Sequence, residues 1–254
     1  MKVLRHIQQS ISCRTAGILI SGSLLFSPLP AIAQASFQLN LPNLSAPGNR
    51  ESGATRSTTC IAPQENLIAL VPESNYGLTH SGYPTFYFYL PPTNAPLIKF
   101  VMYNETTNEL FYEGQFSIKG NTAGEGRAGI VGITLPNNGL QKPLEVGQSY
   151  VWYLTVVCDP DAIDQSGNAV IETTVARVGA PSEADQAPTT DLPRIYAEAG
   201  LWYDALAASA ALKQVNNTAS WNTLLRSVSL ERLIPISMLS EETSPETTGV
   251  SGIN

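Results

Sequence analysis

The chain has 254 residues, with 14 Lys and Arg against 21 Asp and Glu, a formal net charge of −7 and only two histidines. That surplus of acid repels phosphate backbones and anionic lipid, so nucleic-acid binding is set aside. Three cysteines make the redox compartment the next question.

The first segment addresses it. Lys2, Arg5 and Arg14 flank or precede the apolar run ILISGSLLF at 18–26, Pro28 and Pro30 follow, and AIA at 31–33 supplies small residues. A charged start, a short apolar stretch and a small-residue exit predict a secretory signal over residues 1–33. Cleavage is expected after Ala33, with Ala35 as the alternative. The apolar run is too short to span a bilayer, which needs roughly 20 residues, and no cysteine follows it to carry a lipid. No membrane insertion is expected after cleavage. Removal of the segment leaves 11 basic residues against 21 acidic, a net charge of −10. It also removes Cys13, so Cys60 and Cys158 remain. An even count in an exported chain reads as one disulfide, the alternative being two free thiols that never meet. The bridge closes a loop of 98 residues, worth about 4–5 kcal/mol in the chain-entropy model.

Residues 34–59, QASFQLNLPNLSAPGNRESGATRSTT, carry apolar residues without a period and predict an extended or disordered lead-in. Residues 60–178 predict an all-β domain. LIALV at 67, TFYFYL at 85, LIKFVMY at 97, ELFYEGQFSI at 109, AGIVGITL at 128, SYVWYLTVV at 149 and AVIETTVARV at 169 are separated by Pro, Gly and Asn clusters. Seven such strands predict a mainly β fold, an immunoglobulin-like antiparallel β-sandwich. In the run at 149, Tyr150, Trp152, Leu154, Val156 and Cys158 share one face, and Val151, Tyr153, Thr155 and Val157 the other. Both faces are largely apolar, which predicts a central strand covered on both sides, with Cys158 pointing into the core beside Trp152. A tryptophan near a disulfide resembles immunoglobulin-type domains, but here the Trp shares its strand with the second Cys.

Residues 179–193, GAPSEADQAPTTDLP, read as a linker between two bodies. Residues 194–239 then predict a C-terminal α-helical hairpin. In RIYAEAGLWYDALAASAALKQ, Ile195, Ala199, Trp202, Tyr203, Leu206 and Ala210 fall on one helical face after a start at Asp191 and Pro193. VNNT breaks the pattern, and Ser220 can cap a second helix, WNTLLRSVSLERLI, that Pro235 stops. Residues 240–254 predict a disordered acidic tail.

Sites for chemistry are sparse. Asp159, Asp161 and Asp164 crowd the stretch CDPDAIDQSGN, yet an EF-hand counted from Asp159 fails at Ile163, Asp164 and Val170, so the stretch reads as a turn. GEGRAG at 124–129 matches a dinucleotide fingerprint, but a strand rather than a helix follows it, and a hairpin loop is the better reading. His80, the one histidine outside the signal, cannot build a zinc site, has no G-x-S-x-G partner and reads as a solvated loop residue. No cofactor and no metal site is expected. Sequons occur at Asn43, Asn104 and Asn216.

GLWYDAL at 200–206 is the most unusual local feature. Trp202 and Tyr203 either dock the helices on the sandwich or on each other, or they belong to an aromatic partner-binding face of Tyr196, Trp202, Tyr203, Asp204 and Trp221. Ala199, Trp202, Ala205 and Ala211 also resemble one tetratricopeptide unit, a single copy of which cannot build a solenoid.

Taken together, LIALVP at 67, PTFYFYLP at 84, PLEVG with Tyr150 and Trp152, CDP with Ser166 and Asn168, YAEAGLWYDAL at 196 and WNTLLRSVSL at 221 resemble a family of exported cyanobacterial proteins, domain of unknown function number 928. Gln165 and Ser229 stand where that family's pattern has Arg and Gly. The resemblance implies compartment and architecture and no activity. The expectation is therefore a non-catalytic interaction module of the cyanobacterial periplasm or cell surface, with an unidentified protein partner. A glycan-acting hydrolase using unrecognised carboxylates and a calcium-dependent adhesive sandwich are the alternatives.

Overall fold

The computed structural model describes residues 37–53, 60–62, 64–118 and 128–239. The signal segment, the tail from 240 and most of GEGRAG lie outside the described residues. The fold is mainly β, with helices at its C-terminal end. The seven runs read from alternation and β-branched content form strands: β1 Ile68–Ala69, β3 Thr85–Leu90, β4 Leu97–Asn104, β5 Leu110–Ser117, β6 Gly129–Thr134, β7 Ser149–Val157 and β8 Ala169–Arg177. The sequence reading lacked β2, Tyr76–Thr79, whose four residues YGLT are too short and too mixed to show a period.

Two sheets result, a five-stranded one in the order β2-β8-β7-β4-β5 and a three-stranded one in the order β1-β3-β6. The pairing of β7 with β4 and β8 is antiparallel, but β2 lies parallel to β8, so the expected all-antiparallel arrangement is corrected at that edge. Three strands cannot cover five. The helix α2 Trp202–Gln214 packs on β2 and β3 and completes the second layer, with α1 Leu192–Glu198 packed against α2. The described residues fall within one compact unit, so the sandwich and the helices are one body rather than two joined by a linker. Part of the stretch read as linker, Ser182–Gln186, is a 3-10 turn, and α1 begins inside it at Leu192.

All layers meet at one aromatic cluster. Phe86 of β3 lies 5.1 Å from both Phe100 of β4 and Trp152 of β7, and 5.3 Å from Tyr203 of α2. Trp152, Phe86 and Phe100 are fully buried. The face of β7 carrying Tyr150, Trp152, Leu154 and Val156 is therefore interior, whereas Val151, Tyr153 and Thr155 stay half-buried. The expectation of cover on both sides is corrected: a layer lies over only one.

The disulfide Cys60–Cys158 is present, with Cα atoms 5.2 Å apart. Cys158 sits one residue beyond β7, about 20 Å along the strand from Trp152 at the usual rise, rather than beside it. Cys60 is held to the β3–β4 connection, its carbonyl accepting from the Thr93 hydroxyl at 2.7 Å and the Asn94 N–H at 3.2 Å. The bridge thus fastens the end of the central strand to the segment that passes between the sheets.

The predicted long helix is two. Three successive helices close in the same way, with the residue after the C-cap at positive φ: Gly200 (76°) after α1, Asn216 (64°) after α2 and Ser229 (58°) after α3, Ala219–Ser227. In each the next N–H reaches back to a last-turn carbonyl: Leu201 to Tyr196, Asn217 to Leu212 and Leu230 to Leu225. This is the Schellman pattern, and it ends a helix even where apolar periodicity runs on. The cap expected of Ser220 is not formed: Thr218 precedes the helix and Ser220 is buried in its first turn.

Residues 37–53 are not disordered but extended along the body. The Asn40 N–H donates to Ala197 O at 3.0 Å, Asn49 and Glu172 bridge, and the Arg50 guanidinium donates to Val71 O at 3.1 Å and Val228 O at 2.9 Å. Residues 54–59 lie outside the described residues.

Candidate functional site

A buried carboxylate lies where helix meets sheet. Asp204 sits in the first turn of α2, where the helix dipole favours a negative side chain. It is 8% exposed. Its oxygens accept from the Thr79 hydroxyl at 3.2 Å and the His80 N–H at 3.0 Å, and His80 Nε2 lies 3.3 Å away. Burial pushes the carboxyl above the usual carboxylate range, and the charge of His80 and these hydrogen bonds offset part of that. His80 is therefore no free loop histidine. It stands one residue beyond β2, with its ring 5.1 Å from that of Tyr196 and its carbonyl accepting from Arg177 Nε. A lone Asp among the apolar residues of GLWYDAL is the sequence signal that a buried partner exists. The partner lies 124 residues earlier, beyond the reach of any spacing rule.

Beside this pair opens a cavity of about 300 Å³ between the β2–β3 connection and α2, with Ser81, Tyr83, Thr85 and Tyr196 on its walls. Asp204 spends its acceptors on β2 and the residue after it, so the pair acts chemically as a lock holding α2 to the sheet. Tyr203 reinforces it: the Trp152 Nε1–H donates to the Tyr203 hydroxyl at 3.1 Å, and burial pushes that phenol well above its ordinary range. The Trp202 indole N–H donates to Leu70 O at 2.8 Å. Trp221 is buried edge-on to Tyr87, with Lys213 over its ring at 4.8 Å. Of the five residues assigned to an aromatic binding face, Trp202, Tyr203, Asp204 and Trp221 are interior and serve to dock the helices. Only Tyr196 keeps appreciable surface. That assignment is corrected, because a side chain without surface cannot meet a partner.

The aspartate loop is local architecture. Asp159 Oδ1 accepts from the Asp161 N–H at 3.0 Å, and Asp164 takes both the N–H and the hydroxyl of Ser166 at 2.9 Å. These hydrogen bonds hold the exposed Asp164 carboxyl below its usual range. Asn168 fastens the loop to the strand by accepting the Cys158 N–H at 3.0 Å. Among the described residues no cluster of three or more His, Cys, Asp or Glu could hold a metal ion. No described helix is long and apolar enough to cross a membrane.

The outward face of the five-stranded sheet has no layer over it. Strand register places Leu97, Lys99, Val101 and Tyr103 of β4 beside Val151, Tyr153 and Thr155 of β7, all half-buried. Val170 of β8 and Leu110 of β5, two of the exposed large apolar residues, border it at 44% and 54% exposure. The Tyr103 and Tyr153 rings stand edge to face at 6.2 Å, and Lys99 pairs with Glu113 at 2.7 Å. Burial, followed by the charge of Glu172, raises the Tyr153 hydroxyl. A solvated sheet face is ordinarily polar, whereas here Lys99, Glu113, Gln115 and Glu172 share the face with a patch of Leu, Val and Tyr at its middle. The sequence displayed this surface as the second apolar face of SYVWYLTVV, where it was read as core.

No curated protein matches this chain, and no solved structure matches it. A family model does match, over residues 51–238, which takes in every strand and helix described above, the disulfide and the Asp204 lock. The chain belongs to the family Domain of Unknown Function (DUF928).

Proposed function

We propose that the chain is a non-catalytic interaction module, exported by cyanobacteria through a cleavable N-terminal signal to the periplasm or cell surface. There it holds a partner protein against the outward face of the five-stranded sheet. The observation that carries this reading is the apolar and aromatic composition of that face, Leu97, Val101, Tyr103, Val151 and Tyr153, on strands whose other side is already a complete core. Tyrosines and aliphatic residues ringed by a few charges are the composition of interface centres. A disulfide and a buried tryptophan suit an oxidising compartment and an immunoglobulin-like frame that presents a rigid surface. The Asp204–His80 pair supports the non-catalytic reading, since its bonds are spent inside the protein.

A photo-crosslinking amino acid placed at Val151, in native cells, tests the proposal against the same group at Val215, which is 70% exposed on another surface. Adducts from position 151 and none from 215 are expected. Absence of adducts at 151 would sink the reading. So would a substrate turnover that disappears in His80→Ala.

A further inference from the structure

We infer that the protein held on the outward sheet face is a second copy of this chain, packed sheet to sheet about a twofold axis along β7. The inference rests on the interaction reading above and names its partner.

Charge is the first argument. The chain as a whole carries 21 acidic residues against 14 basic, so two copies repel over most orientations. The outward face is an exception. Register puts Lys99, Glu113 and Glu172 on it among apolar, hydroxyl and amide side chains, Gln115 being the amide, and Lys99 and Glu113 neutralise one another. Two copies of an acidic protein can approach closely only through such a near-neutral face.

Symmetry is the second. Sheet order places β4 on one side of β7 and β8 on the other. A twofold axis running along β7 therefore lays β4 of one copy over β8 of the second. Lys99 is level with Thr155, and Glu172 with Tyr153, so the two differ by two residues along the strand. That offset is about 7 Å, within reach of a lysine side chain. Each Lys99 then stands between its own Glu113 and the second copy's Glu172. Every carboxylate of the face has a cation nearby, which an unrelated apolar surface would not supply. The Tyr103–Tyr153 and Val101–Val151 neighbours lie nearest the axis and form the dry centre.

Area is the third. Four strands of eight or nine residues and the four residues of β2, about 4.8 Å apart, present roughly 600 Å². Two copies bury about 1,200 Å², the lower end of the range for specific interfaces, and this predicts a micromolar dimer.

Sedimentation equilibrium of the purified chain, from about 1 to about 200 μM, tests this by mass action. The weight-average mass is expected to rise toward twice that of one chain. Val101→Asp should leave a monomer over that range with an unchanged melting curve, and Val215→Asp, on another surface, should dimerise as before. Lys99→Glu should weaken the dimer about tenfold, and Lys99→Glu combined with Glu172→Lys should recover it. A monomer at every concentration overturns the inference, as does a dimer indifferent to both Val101→Asp and Lys99→Glu. If the chain is monomeric while crosslinks from position 151 yield other proteins in cells, the second-copy inference fails and the interaction reading stands.

Discussion

Ser229 occupies a conformation that glycine adopts more cheaply. Its φ of 58° closes the end of α3, and Leu230 behind it is fully buried, so the turn cannot relax. A side chain in the left-handed region costs roughly 1 kcal/mol. Ser229→Gly is accordingly expected to gain about 0.5–1 kcal/mol, less the added freedom of the unfolded chain. A rise of a few degrees in melting temperature would confirm it, and a fall would refute it. Gly200 is the converse. At φ 76°, with a Cβ that would meet Asn40 O at 2.5 Å, it admits no substitute. Gly200→Ala should cost more than about 1 kcal/mol and loosen residues 37–53, visible as faster amide exchange at Asn40. Asp204 gives a pH signature. Its carboxyl is raised in the folded state by burial, so its favourable contribution is complete below the ordinary Asp range and is lost as pH rises through the folded value. The stability margin of the native chain over Asp204→Asn should therefore widen as melting curves are recorded from about pH 8 down to about pH 4. A margin that narrows over that range contradicts the assignment.

At the scale of elements, the contact between α2 and the sheets depends on few polar atoms. Tyr203→Phe removes the acceptor for Trp152 Nε1 and leaves that N–H buried at the centre of the core. The expected loss is about 1–3 kcal/mol in chemical denaturation, with little change in the denaturant slope. What the sequence displayed of these elements followed period and length. Seven strands were legible because each lies in an apolar run of at least five residues, although only Ile68–Ala69 of LIALV is paired, and β2 was not, because the four residues YGLT are too few to show their alternation. The break between α1 and α2 was hidden for a related reason. Ile195, Ala199, Trp202 and Tyr203 keep helical spacing straight through Gly200, whose positive φ ends the helix. The outward sheet face was seen and misplaced, since composition tells that a face is apolar and not what lies over it. The Asp204–His80 pair was invisible as a pair, for its members come from elements brought together only by the fold.

For the whole molecule, the disulfide is the covalent feature that the sequence did reveal, by cysteine parity once Cys13 is set aside with the predicted signal. It joins positions 98 residues apart, tying the end of β7 to the passage between sheets. The Cys60→Ser, Cys158→Ser double variant should lose about 2–5 kcal/mol. The same loss should appear on adding reductant to the native chain and not to the variant. A variant as stable as the parent would mean that noncovalent packing alone closes that end. The early segment has a different consequence. Asn40 reaches Glu198 and Ala197, and Arg50 reaches Val228, partners 158 and 178 residues away for the side-chain contacts. Those acceptors lie late in the chain, whereas residues 46–52 also grip Leu67, Val71 and Ser74 close by, so the early segment is held first at its far end and docks around Asn40 only once α1 is in place. Contacts of such wide separation form late in folding, and a polypeptide ending short of α1 would leave Asn40 undocked while Arg50 kept its bond to Val71.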